Sequence, residues 1–395
     1  MTQPQLPQAR FGRFGGRYVP EALYTPFERV ARAYREAVES DGFLRRQRRW
    51  RQMRVGRPTP LTHLEVLSQN TGGAQIWAKR EDLCQGGSFC ITSALTQALL
   101  AERMGKQQLI GETATGDFGV ALGSVGAALG LDVAVFMGRE AMEAESLNAA
   151  RMQRMGVELI PVDSGARGRS QSMAEAIRNI AVTWEDTFYA TSSLAGPAPY
   201  PAIVGSALSI IGTESRRQFQ RRNIDPEYVV APVGSGSFAA GLFDAFVDDG
   251  PQLVGVQAGG TEEKARDSAS LVRGRPGVYH GTYSLVLQDD EGQIQAPHAD
   301  AAGMMMPVAG PQHARWLQDG VVHYVTVADE EARNAQKLLL RTEGILASRE
   351  TGYALAYALK LAPMLGDDDH ILFGITGSGL RGITAQLGDG SDEET

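Results

Sequence analysis

A chain of 395 residues, 43% hydrophobic and 21% charged, is long enough for two or three domains or one large α/β body. It is also apolar enough to bury a sizeable core. A formal net charge of −8 argues against a nucleic-acid surface. The cysteines, Cys84 and Cys90, cannot build a disulfide framework, and no run of about 18 apolar residues marks a membrane span.

Cysteine usage, and the lack of a signal-like apolar core in "MTQPQLPQARFGRFGGRY", predict a reducing, cytoplasmic setting. In chain order, "EALYTPFERVARAYREAV" has apolar residues at helical spacing. The basic run Arg45–Arg57, "RRQRRWRQMRVGR", reads as a solvated helix face or as a docking surface for a partner. "AQIWAKRED" then reads as a short strand, and "ITSALTQALLAERMGK" as a helix ending near Gly105.

The strand-turn-helix unit repeats through "QQLIGETATGDFGVALGSVGAALG", "LDVAVFMGREAMEAESLNAARMQRMG" and "VELIPVDSG". It returns at "EYVVAPVGSGSFAAGLFDAFVDDG", "QLVGVQAGG" and "HILFGITGSGLRG". Short apolar strands leaving through glycine into amphipathic helices predict an α/β fold of open, mainly parallel sheets covered by helices. Ligands in such folds sit beyond the carboxyl ends of the strands, so the turns are the places to look for chemistry.

Three turns stand out. In Lys79–Ala94, "KREDLCQGGSFCITSA", Cys90 falls in the first turn of a helix. The helix dipole there favours a thiolate, so a nucleophile or ligand is one reading and a small packing residue the other. In "GETATGDFG", Glu112 stands on a strand end and Asp117 at the following helix start. Burial would raise either carboxyl toward neutrality for acid/base work; Asp117 also reads as a plain helix cap.

The third turn, Val233–Gly241, "VGSGSFAAG", places Gly234, Ser235, Gly236 and Ser237 between a strand and a helix. These residues suit an anion or phosphate cradle, or a simple tight turn. A dinucleotide fingerprint is set aside, because the next strand ends at Gln257 rather than at an acid. The histidines (His63, His280, His298, His313, His323 and His370) fall at no metal-ligand spacing, so no metal site is expected.

Over nearly its whole length the chain resembles the β subunit of tryptophan synthase, a fold-type-II pyridoxal-phosphate enzyme. The matching blocks include "FGRFGGRYVPEAL", "GRPTPL", "KREDL", "GPAPYP", "LVLQDDEGQIQAPH", "AAGMMMPVAGPQHA", "TEGI" and "ALAYALKLAP". The resemblance implies an N-terminal domain of residues 1–54 and 86–204, with a mobile subdomain near 103–190. A C-terminal domain would take 55–85 and 205–388, leaving 389–395 as an acidic tail. It also implies a homodimer, with an α-like subunit as a further partner.

The departures gather at the chemistry. The family's histidine-lysine pair, whose lysine forms the Schiff base, corresponds to Phe89 and Cys90, and the asparagines after it to Thr92 and Ser93. The chain's lysines are Lys79, Lys106, Lys264, Lys337 and Lys360, none of them in this turn. Losing a general base alone costs on the order of 10² to 10⁴ in rate. The family's carboxylate-binding loop has become Ala114–Phe118, where an ionised Asp117 would repel an amino acid's carboxylate. An arginine-aspartate switch of the family corresponds to Glu143 and Met305.

Other family positions persist. Glu112 matches the catalytic glutamate, Glu350 a second pocket carboxylate, and Thr376 the serine at the cofactor's ring nitrogen. The phosphate loop survives as Gly234–Ser237, with Phe238 in place of an asparagine, and Tyr279 and His280 fall in the segment lining the indole passage.

The expected function is therefore a cofactor-free lyase-, cyclase- or isomerase-like enzyme of specialised metabolism, acting on a small aromatic or indole-like molecule. Glu112, Asp117 and Cys90 are its candidate catalytic groups. Phe89, Phe118, Tyr279, His280, Glu350 and Thr376 would contact the substrate. A catalytically inactive regulator that binds a metabolite or partner subunit is the alternative, and noncovalent pyridoxal-phosphate use a further one.

Overall fold

The computed structural model describes residues 9–163, 169–248, 250–261 and 267–382. Lys264 and the acidic tail at 389–395 lie outside the described residues. Two mainly parallel sheets organise the chain. The six-stranded sheet runs His323–Val327, Gln252–Ala258, Tyr228–Pro232, His370–Ile375, Gln75–Arg80 and Leu61–His63. All neighbours are parallel except the last pair. The four-stranded sheet, Glu158–Val162, Asp132–Gly138, Gln108–Thr113 and Thr187–Ala190, is parallel throughout. A small antiparallel sheet joins Arg10–Phe11, Phe14–Gly15, Thr282–Val286 and Arg275–Tyr279.

Each large sheet is buried on both faces, which is why its strands read as apolar runs rather than as alternating patterns. In the strand Gln108–Thr113, Leu109 packs toward the helices Cys90–Arg103 and Asp117–Leu129. Ile110 packs the other way, with Ala176 and Ile180 of the helix Arg169–Thr183. Successive strand residues point to opposite faces. Glu112 therefore shares the face of Ile110, not the face against the Asp117 helix.

The helix Tyr24–Val38 buries Phe27, Val30, Ala31, Tyr34 and Val38, the stripe its spacing predicts. Ser40 starts the next helix, Asp41–Trp50, by accepting from the Phe43 amide at 3.4 Å. The strands Gln75–Arg80, Gln108–Thr113, Tyr228–Pro232 and His370–Ile375 all end toward one crevice.

Candidate active site

A pocket of about 80 Å³ occupies that crevice. Phe89, Cys90, Asp117, Gly234, Ser235, Gly236, Ser237, Glu350 and Thr376 line it, together with Thr115, Ser192 and Phe238. Nine of the residues singled out in the sequence thus meet here, all but Glu350 brought from turns that follow four different strands.

The local geometry explains the meeting. The Phe89 amide donates to the Thr376 carbonyl at 3.1 Å, which fixes the start of the Cys90–Arg103 helix against the end of the strand His370–Ile375. The Thr376 hydroxyl pairs with Ser348 at 2.9 Å. Cys90 is buried, as is Cys84. Phe89 meets Phe238 edge-on, ring centres 5.2 Å apart, and the two rings form an apolar wall.

The glycine-serine loop is held from behind by a neutral histidine. His313 donates from Nε2 to the Gly236 carbonyl at 2.8 Å, while Nδ1 meets the Tyr324 hydroxyl at 2.7 Å. Burial pushes the His313 imidazole down to about 4, so it stays uncharged at neutral pH. Gly236 has φ +89°, and a Cβ there would lie 2.2 Å from the imidazole. Only glycine fits both the angle and the contact.

Sequence reasoning missed two residues that dominate the electrostatics, joined to the lining carboxyls Asp117 and Glu350 but not themselves lining the pocket. Arg381, just beyond the last strand, donates to Glu145 at 2.8 Å and to Glu350 at 2.7 Å, and Asp117 lies 3.5 Å from its Nε. Asp117 is no simple cap: its Oδ1 accepts from Asn148 Nδ2 at 2.9 Å. Glu350 also accepts the Gly303 amide at 3.0 Å.

One guanidinium cannot neutralise three carboxylates equally. Although burial opposes it, the ion pair with Arg381 holds the Glu350 carboxyl below its ordinary range. Burial raises the Asp117 carboxyl despite Arg381. Glu145 is pushed up to about 7, by burial first, with Glu350 and Asp117 adding to it against the pull of Arg381. A carboxyl titrating at neutrality is the condition acid/base catalysis requires.

Four expected site residues lie elsewhere. Glu112 is fully buried behind the pocket wall. It accepts the Thr191 hydroxyl at 2.7 Å, and Gln97 clamps the Thr191 backbone from both sides. Ser192, the next residue, faces the pocket. Phe118 packs in the core beside Gly111, its position on the helix turned inward. Tyr279 and His280 form the tip of a hairpin, ring centres 4.2 Å apart, and Tyr279 packs on the patch of Ala195, Met306 and Val308. Burial alone pushes His280 down to about 4.

The chain belongs to the pyridoxal-phosphate dependent enzyme family, which matches residues 53–377. It is similar in fold to a lysine-to-alanine mutant of O-ureido-L-serine synthase with O-ureido-L-serine bound. That match has 20% identity and a TM-score of 0.64, covering 86% of this chain and 93% of that one. It is also similar to a threonine deaminase from T.th., at 21% identity and a TM-score of 0.61, over 81% and 92% of the two chains. These likenesses establish an α/β fold with open parallel sheets, the fold-type-II architecture.

A covalently anchored pyridoxal phosphate needs a lysine amine in the pocket. None of the described lysines lines it. Lys79 is buried against the Thr59 carbonyl, Glu214 and Gln218 at 2.8, 2.9 and 3.1 Å. Lys106 binds the Trp184 and Glu185 carbonyls, Lys360 pairs with Glu331, and Lys337 is exposed. The pocket is small, about 80 Å³, and Phe89 and Phe238 crowd one side. Ser235 and Ser237 would suit a phosphate, but the described residues do not fit a covalently anchored pyridoxal ring.

No helix among the described residues is long and apolar enough to cross a membrane.

Proposed function

We propose that this protein is a divergent, tryptophan synthase β-like member of its family that works without a Schiff base, Cys90 standing where the lysine would be. Its reaction would be an acid/base conversion of a small aromatic or indole-like molecule: a cyclisation, isomerisation or condensation in specialised metabolism. The observation carrying this reading is that the lining carboxyls Asp117 and Glu350 share Arg381 with Glu145, a carboxyl raised to about 7, in a pocket that no described lysine lines.

The roles follow from position. Glu145 and Asp117 exchange the proton, Arg381 sets which carboxyl holds it, and Phe89 with Phe238 presents an apolar wall to an aromatic ring. Glu112 accepts the hydroxyl of Thr191, the neighbour of the lining residue Ser192, so its part is to position that wall. Gly234–Ser237 would hold an acidic group of the substrate, or the phosphate of noncovalently held pyridoxal phosphate. A homodimer, with or without an α-like subunit, is the assembly the resemblance suggests.

The test begins with pyridoxal phosphate added to the purified protein, borohydride reduction and mass spectrometry. Labelling of exposed amines such as Lys337 aside, no covalent adduct is expected; a stoichiometric reduced adduct on a buried lysine would refute the cofactor-free reading. Candidate aromatic metabolites are then assayed with wild type, Glu145→Gln and Glu112→Gln. Activity surviving undiminished in Glu145→Gln would remove the proposed proton carrier.

The smallness of the pocket favours a second reading, a regulator without turnover. It predicts stoichiometric copurification with an α-like or active β-like subunit and no conversion of any candidate.

A further inference from the structure

The basic run Arg45–Arg57 takes no part in the pocket above. It leaves the helix Asp41–Trp50 through a wider turn, Arg51–Val55, and forms one wall of a second cleft. This cleft, of about 700 Å³, opens between the helices Tyr24–Val38 and Asp41–Trp50 on one side and Tyr200–Leu208 and Ile210–Gln220 on the other. That volume falls within the roughly 300–1,000 Å³ of small-molecule sites.

Its floor carries an unbalanced charge. Arg57 is gripped by Glu81 at 2.7 and 2.9 Å and by Glu214 at 3.1 and 2.9 Å. Glu214 is further engaged by Lys79 at 2.9 Å and by the Thr59 amide at 3.3 Å. Arg51 closes the floor, donating from Nη2 to the Ala207 carbonyl at 2.8 Å. Its Nε is buried and has no hydrogen-bond partner among the described residues.

Among the described residues, Glu81 and Glu214 are the ion-pair partners of Arg57 and Lys79, and no carboxylate pairs with the half-buried Arg51. An uncompensated buried charge is costly, and a bound counter-ion removes the cost. Burial, with Arg57 adding repulsion, accordingly pushes the Arg51 guanidinium down to about 10. At the rim, Arg48, Arg217 and Arg221 are exposed. The acids there are Asp41, which lies 3.9 Å from Arg45, and Asp244, whose carboxyl burial and Asp248 push up. Tyr34, Leu44 and Ile210 add apolar wall.

We propose that this cleft binds a small organic anion, a carboxylate or phosphate on an apolar body, with the half-buried Arg51 as the counter-charge and Arg217 and Arg221 at the entrance. Its test is calorimetric titration of the full chain with phenyl phosphate, benzoate and inorganic phosphate at low ionic strength. One site per chain is expected, with a preference for the two aromatic probes over inorganic phosphate. The ratio of phenyl phosphate to benzoate affinity tells which oxyanion the site favours.

Arg51→Gln should weaken binding by at least about tenfold, as for a lost charge-assisted hydrogen bond, without lowering the melting temperature of the free protein. The double change Arg217→Gln, Arg221→Gln should flatten the salt dependence, while Arg139→Gln, remote from the cleft, should change nothing. Equal affinity in Arg51→Gln, or no heat from any probe at millimolar concentration, overturns the proposal. So does a dimer in which a second copy fills the cleft, detected as probe exclusion that Arg221→Gln relieves together with dissociation in sedimentation.

Discussion

Arg381 and Glu145 stand 236 residues apart in the chain and 2.8 Å apart in space. Glu145 sits at the corner between the helices Arg139–Ala144 and Ser146–Arg154, beside the four-stranded sheet. Arg381 follows the strand His370–Ile375 of the six-stranded sheet. With Asp117 and Glu350 on the same guanidinium, one cation joins carboxylates carried by both layers.

Removing that cation leaves three carboxylates facing one another. Arg381→Gln is expected to cost about 3–5 kcal/mol at pH 7, the usual cost of breaking a buried ion pair from one side. Without the guanidinium all three carboxyls rise, so acidification neutralises them and much of the loss should vanish near pH 5. Urea unfolding at the two pH values measures this. An equal loss at both would assign the effect to packing instead of charge.

Glu145 sets a second pH dependence. Its carboxyl is raised in the folded protein, from 4.5 to about 7, so the folded state holds the proton more tightly than the unfolded one. Its contribution is greatest below about pH 4.5 and is lost as pH rises through about 7. Glu145→Gln should therefore remove that pH dependence, on the order of 3 kcal/mol between the two limits. The checking measurement is the difference in unfolding free energy between wild type and Glu145→Gln across pH 4 to 8; a flat difference would contradict it.

Phe238 decides how much room the pocket has. Its ring packs on Phe89 and against Gly374, where a Cβ would come within 2.2 Å of it. Phe238→Ala should cost about 3–5 kcal/mol, as for other buried aromatic truncations, and should open the pocket enough to admit indole. Thermal melting with and without indole reads both effects, a stabilisation absent from wild type being the expected sign.

Gly116 has φ +79°, and a Cβ there would lie 2.4 Å from the Asn148 Cβ. Gly116→Ala should therefore destabilise the fold by about 1–3 kcal/mol. It should also push Asn148 away from Asp117, raising that carboxyl further by removing a hydrogen bond to its charged form. Carboxyl titration by NMR would detect the shift in Asp117; an unmoved value would mean that Asn148 follows the loop.

The sheets were legible because each buried strand is a short apolar run that leaves through a turn. Cys90, Asp117 and the Gly234–Ser237 loop were legible for the same reason, since they occupy those turns, whereas Phe89 was legible only through the family resemblance. The facing of Glu112 was not. A strand buried on both sides shows no alternation, so nothing local separates the face of Ile110 from that of Leu109. Glu145 and Arg381 carried no signal at all, for an ion pair across 236 residues leaves no spacing to read. Arg51 was visible only as one of many arginines in a basic run; its burial against Ala207 comes from the packing of a helix 156 residues away.

Arg381 contributes no strand to either sheet, and the six-stranded sheet is complete at Ile375. Scaffold and acid/base control are therefore separable along the chain. A protease cut or a fusion placed just before Arg381 would leave the sheet order intact while handing the proton balance of the pocket back to three uncompensated carboxylates. A preparation trimmed there would look folded by its secondary structure, yet titrate as a different protein.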